Sequence, residues 1–125
     1  MQIITDEYMR EILPTARSYT LVILKVTPKR REPGVEKVIW EHGRRNFALR
    51  AKGVMPIVCP VNDGGDVAGI GVFTTGLEET KKIMDEDPGV KAGIFAYEVR
   101  ACRCDLYPRS RLCLHKNRFT ITIHR

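Results

Sequence analysis

Three short stretches of this chain, residues 21–24, 67–73 and 94–97, are apolar at nearly every consecutive position rather than at alternate ones. They are rich in β-branched and aromatic residues and too short for core helices, so they read as strands. Successive side chains of a strand point to opposite faces. Leu21 and Ile23 therefore line one surface of a sheet, and Val22, Leu24 and Val26 the other. A single layer of helices covers only one of those surfaces, so the chain must find something else to cover the second.

The segments between these strands supply the helices. Residues 5–13 read as a short leading helix, with Asp6, Glu7 and Glu11 early and Pro14 ending it. A strand over 19–26 is followed by a polar loop, 28–34, that carries Lys29, Arg30 and Arg31 between two prolines. Residues 36–52 form the next helix, with acids early, Arg44, Arg45, Arg50 and Lys52 late, and Gly53 as its stop. Its apolar face collects Val35, Val38, Ile39, His42, Asn46 and Leu49 at steps of three and four. A second strand over 54–61 contains Pro56 and Pro60, which places it at an edge or a bulge. Asn62-Asp63-Gly64-Gly65-Asp66 is a turn, and the third strand runs over 67–73. Thr75-Gly76-Leu77-Glu78 fits a capping box for a helix reaching about residue 86. The fourth strand spans 92–103.

The order is a leading helix, then β-α-β-β-α-β, then a tail. Two right-handed crossovers around one hairpin give an α+β, ferredoxin-like layer: two helices on one face of a four-stranded antiparallel sheet. One domain over 1–125 is expected, with its core at 19–103 and a basic tail at 104–125. Leaving the second sheet face in water would expose an apolar patch larger than monomers tolerate. Burying roughly 500 Å² more per subunit is worth about 12 kcal/mol before association costs. A second copy packed sheet to sheet about a two-fold axis is the simplest cover. The leading helix or the tail is the alternative. In the tail, Phe119-Thr120-Ile121-Thr122-Ile123 alternates as a half-buried strand does.

Charge narrows the partners. Of the formal net +6, residues 104–125 carry +4, which leaves the body close to neutral. A nucleic-acid binder shows a basic stripe on its folded body, so nucleic acid is not the expected partner. No run approaches the roughly 20 apolar residues of a membrane span. The first residues lack the pattern of a signal peptide, and a cytoplasmic location is the default expectation. Cys59, Cys102, Cys104 and Cys113 are then expected as free thiols. Cys102-Arg103-Cys104 with Cys113 and His115 does not match paired zinc-ligand spacing. Cys59 reads as a buried strand cysteine rather than a nucleophile.

Among groups that could do chemistry, His42 stands out: an imidazole on an otherwise apolar helix stripe, able to act as a base near neutral pH if a partner fixes its tautomer. A lone histidine in such a place is more often an ordinary core or rim residue. Asp87, before Pro88-Gly89, reads as turn chemistry. Glu78 and Glu79 read as helix N-terminal charges, and Lys81 and Lys82 as a solvated face. There is no phosphate loop, no His-Glu-x-x-His and no nucleophile elbow.

Several motifs together resemble the YciI-like (YCII-related) family. They are His42-Gly43-Arg44-Arg45-Asn46-Phe47-Ala48-Leu49-Arg50-Ala51-Lys52-Gly53, Cys59-Pro60, Gly64-Gly65-Asp66-Val67-Ala68-Gly69 and, most specific, Asp87-Pro88-Gly89-Val90-Lys91-Ala92-Gly93-Ile94-Phe95. The resemblance covers about residues 19–103. Cys59 stands where the family has Gly, Gly89 where it has an aromatic residue, and the loop before the His42 helix is long. The resemblance implies a dimeric α+β barrel and, by motif position, a functional pair of His42 and Asp87 beside the sheet. It implies an enzyme moving a proton on a small, cyclic, oxygenated organic molecule by isomerisation, elimination or dehydrochlorination, with no metal or organic cofactor required. Asp87 would orient the His42 imidazole and stabilise its cation. The competing expectation is a non-catalytic dimer that binds a small ligand or serves as a structural module. A haem role, also known on this fold, finds no haem pocket specified here.

Overall fold

Burial alternates along the first strand: Thr20, Val22 and Leu24 are buried, while Leu21 and Ile23 between them are half-buried. That alternation fixes which surface of the sheet carries helices. The computed structural model describes residues 2–104. In chain order its elements are α1 (Asp6–Ile12), β1 (Arg17–Val26), α2 (Val35–Ala51), β2 (Ile57–Pro60), β3 (Val67–Phe73), α3 (Leu77–Asp85), α4 (Pro88–Lys91) and β4 (Phe95–Cys104). One-turn 3₁₀ segments lie at Leu13–Thr15 and Pro28–Arg31. The chain divides into two compact units. One is Ser18–Cys102, and the other takes in the chain on either side of it. The expected strand at 119–123 lies outside the described residues.

In the larger unit the sheet order is β2-β3-β1-β4. β1 and β2 both pair antiparallel with β3. This is the ferredoxin-like α+β arrangement that the β-α-β-β-α-β succession implies. Thr20 pairs with Phe73, Val22 with Gly71 and Leu24 with Gly69, so these residues share one face. Against that face pack Val35, Val38, Ile39 and Leu49 of α2 and Ile83 and Met84 of α3, around the fully buried Phe73. On the opposite face Ile23 pairs with Ile70, Leu21 with Val72, and Ile57 with Val72. Among the described residues, α2 and α3 pack on the first face and not on this one. Among the described residues no helix is long and apolar enough to cross a membrane.

Two strands are shorter at their starts than the sequence suggests. β2, expected over 54–61, holds only Ile57–Pro60. The N–H groups of Val54 and Met55 turn back to the Leu49 carbonyl at the end of α2, and Met55 enters the core. Pro56 has no N–H to give. β4 begins at Phe95 rather than Ala92, because the N–H groups of Ala92, Gly93 and Ile94 are spent on the carbonyls of Pro88, Val90 and Gly89. Gly93 makes this possible with φ 74°, a left-handed turn.

The capping box at Thr75 does not form. Gly76 is the N-cap of α3 and offers no side-chain bond. Thr75 Oγ1 instead lies 2.7 Å from Oγ1 of the buried Thr80, and the Thr75 carbonyl accepts the Thr20 hydroxyl at 2.7 Å. A buried hydroxyl must find a partner, and that demand outweighs the cap. Cys59 also departs from expectation. It is exposed rather than buried, because its register opposite Ile70 puts it on the uncovered face of a short edge strand. In the smaller unit, Thr5 caps α1 by accepting the Tyr8 N–H at 3.1 Å.

Candidate functional site

Asp87 owes its position to its neighbour. A residue before proline is pushed to extended backbone, and Asp87 has φ −66° and ψ 132°. Pro88 then opens α4 at the position where its missing N–H costs nothing. As N-cap, Asp87 accepts the N–H groups of Gly89 and Val90 on Oδ2, at 2.9 and 3.1 Å. The turn expected at Asp87-Pro88-Gly89 is thus the capped start of a one-turn helix. The carboxyl group is only 1% exposed.

The Oδ1 side of that buried group faces α2. His42 Nδ1 lies 2.8 Å from Oδ1 and 2.9 Å from Oδ2. The two residues are 45 positions apart in sequence, and the fold brings them together. Arg45 Nη1, one turn along α2, stands 3.8 Å from Oδ1, within ion-pair range and beyond a hydrogen bond. It is buried with no hydrogen-bond partner among the described residues. Burial pushes the Asp87 carboxyl up. The His42 hydrogen bond and charge, the Val90 N–H and the Arg45 guanidinium outweigh it and hold the group below the ordinary aspartate value.

An ionised carboxylate only accepts hydrogen bonds, so Nδ1 of His42 carries the ring proton. The other nitrogen, Nε2, then has a free lone pair, and Asn46 Nδ2 approaches it at 3.1 Å. Phe95 lies tilted against the imidazole, centroid to centroid 4.8 Å. His42 and Asn46 form part of the wall of a cavity of about 280 Å³ between α2 and the sheet. The remaining wall is mostly apolar, including Ile39, Met55, Phe73, Met84 and Phe95. Gly69 and Gly71 of β3 also line it. A β-carbon at 71 would come 2.6 Å from Met55 Sδ. A wider depression of about 540 Å³ over Glu36, Lys37, Trp40 and Glu41 lies on the outer face of α2 alone and encloses nothing.

Gly89 is held to its identity by space. A β-carbon there would lie 2.5 Å from Phe95 Cδ2 and 2.8 Å from Cε2. Where the family resemblance puts an aromatic side chain, this chain has Phe95 pressed against the backbone. Gly89→Ala is therefore expected to cost about 1–3 kcal/mol through overpacking, read from chemical denaturation. The Phe95 ring and the histidine beneath it should move, read from their NMR shifts.

Of the site residues expected from sequence, His42 and Asp87 meet. Asn46, Arg45 and Phe95 were not singled out. Asn46 had a usable signal, since a residue four positions after His42 on a helix is its neighbour. Arg45 read as a C-terminal helix charge. Among the described residues no group of three or more His, Cys, Asp or Glu side chains is placed to hold a metal ion. Cys113 and His115 lie outside them.

No protein-family model matches the chain, and no curated protein matches it in sequence. Among solved structures, the chain is similar to 5-chloro-2-hydroxyhydroquinone dehydrochlorinase (TftG) from Burkholderia phenoliruptrix AC1100, determined as a complex with 2,5-dihydroxybenzoquinone. The identity is 22% and the TM-score 0.47, over 66% of this chain and 90% of that one.

Proposed function

We propose that this chain is a YciI-like homodimer whose His42–Asp87 pair moves a proton on a small cyclic organic molecule, in an isomerase or lyase reaction that needs no organic cofactor. The observation that carries the reading is a histidine on the wall of an apolar cavity with one ring nitrogen held by a buried carboxylate. Asp87 fixes the Nδ1–H tautomer and stabilises the imidazolium that forms when Nε2 accepts a proton. Nε2 then returns that proton to another atom of the substrate for isomerisation. In an elimination, the electron pair left behind expels a leaving group. An apolar cavity of about 150 Å³ holds benzene, so about 280 Å³ suits one substituted ring. The apolar wall favours a neutral molecule with its polar edge toward His42.

The test is proton exchange in D₂O. A panel of enolisable and hydroxylated single-ring compounds is followed by NMR for deuterium uptake and for product. His42→Gln is expected to lose at least about a hundredfold in rate while the fold persists. Full activity in that variant would remove the reading. The second reading, a ligand-binding module without catalysis, draws on Asn46, which occupies Nε2 at rest. It predicts saturable binding of ring compounds with no exchange above background.

The homodimer part of the reading is supported by the face that α2 and α3 leave uncovered. Leu21, Ile23, Ile57, Ile70 and Val72 meet there across three strands, and packing it on a second copy would close a two-layer barrel about a two-fold axis.

A further inference from the structure

If His42 and Asp87 work as a pair, Nε2 of His42 is the nitrogen that takes the proton, and it is not bare. Asn46 Nδ2 stands 3.1 Å from it, one helical turn along α2. With Nδ1–H given to Asp87, the neutral ring can only accept at Nε2, so the Asn46 N–H donates. Once Nε2 carries a proton, both groups would be donors and that contact would fail. A carboxamide has a remedy that few side chains share. Its acceptor and donor ends exchange by a half-turn about χ2, a broad two-fold torsion. The surroundings do not compete. The charged groups near the ring are Asp87 and, behind it, Arg45. α3 offers the cavity Met84, β4 offers Phe95, and β2 lines it with the main chain of Cys59, whose register opposite Ile70 carries the thiol to the other face.

We propose that Asn46 is a positioning residue for His42, donating to Nε2 while the ring is neutral and turning its carbonyl toward Nε2–H once the ring is protonated. The inference rests on the His42–Asp87 pair acting as proposed. It adds that both protonation states of the imidazole are partnered on the cavity side before any ligand enters. A ligand reaching Nε2 must displace the amide, so a hydroxyl or other donor is required of it.

The experiment uses full-length protein labelled with ¹⁵N at histidine. Long-range ¹H–¹⁵N correlation reads tautomer and protonation of each ring through a pH titration. Of the three histidines in the chain, the His42 signals are those lost in His42→Gln. Wild type is expected to show the Nδ1–H tautomer when neutral, and Asp87→Asn to lose that tautomer preference. Asn46→Asp, which can only accept, is expected to favour a proton on Nε2 and move its resonance toward that of a protonated ring nitrogen. Asn46→Leu should move the neutral Nε2 resonance to that of a nitrogen with no donor. If either Asn46 variant leaves both titration and Nε2 resonance as in wild type, the role of Asn46 is overturned and the pair stands. If wild type instead shows the Nε2–H tautomer, the pair itself fails. That second outcome is read on the wild-type protein and needs no variant to fold.

Discussion

Asp87→Ala is expected to lower the free energy of unfolding by about 3–5 kcal/mol, the loss typical of removing one member of a buried ion pair. Most single substitutions cost about 0.5–3 kcal/mol, so this one should stand apart. Four groups are stranded at once. The N–H groups of Gly89 and Val90 lose their cap, His42 Nδ1–H loses its acceptor, and Arg45 loses the charge it faces. Asp87→Asn keeps one oxygen for the cap and should cost markedly less. Urea denaturation of both variants is the measurement. A loss below about 1 kcal/mol for Asp87→Ala, the ordinary size of a lost helix cap, would mean that the carboxylate does not hold α4 and α2 together. The same carboxyl has a pH signature. Its pKa is lowered in the folded state, so its contribution is complete above the ordinary aspartate value of 3.8. It is lost as the pH falls from there through the depressed folded value. Asp87→Asn should flatten the stability profile in that acid window.

The second large effect concerns assembly. In the proposed dimer, Ile23→Lys is expected to weaken association at least about a thousandfold, read by sedimentation equilibrium. Ile23 lies on β1, an inner strand of the sheet, and pairs with Ile70 on the uncovered face. Burying an ammonium there without a partner costs several kcal/mol. A two-fold interface meets the substitution twice. Ile23→Leu keeps the apolar surface and should leave the dimer intact. Ile23 is no part of the cavity wall, so a monomeric Ile23→Lys protein that keeps the His42–Asp87 tautomer would show that the pair forms without the partner. A wild-type chain that sediments as a monomer at high concentration would refute the dimer directly.

The fold was legible in the sequence wherever side-chain pattern and backbone demand agreed. β3 runs over Val67–Phe73 as read, and α2 differs from its expected bounds by one residue at each end. Legibility failed where distant groups compete for the same backbone. Met55 reads as part of a strand, yet its N–H belongs to Leu49 and its side chain to the core. Thr75 reads as a cap until Thr20 and Thr80, remote in sequence or buried, recruit it. At the site, residue periodicity gave His42 its face but no partner, and Asp87 read as an ordinary turn. Only the motif resemblance joined the two. The cavity was invisible for a different reason. It depends on what Gly69 and Gly71 lack and on where Met55 goes, and neither appears in a pattern of polar and apolar letters.

The walls of that cavity differ in kind. On the sheet side Gly69 and Gly71 leave main chain close to the space, backed by Cys59 and Phe73. The Met55 sulfur lies over Gly71, and Met84 of α3 lines the cavity elsewhere. Main chain in a paired strand does not yield, whereas methionine has three rotatable bonds and a polarisable sulfur. A series of ring compounds grown one methyl at a time should meet a steep affinity penalty toward Gly69, backed by the main chain of Cys59 and Pro60, and a shallow one toward the methionines. The chamber is rigid in one direction and tailors itself in another.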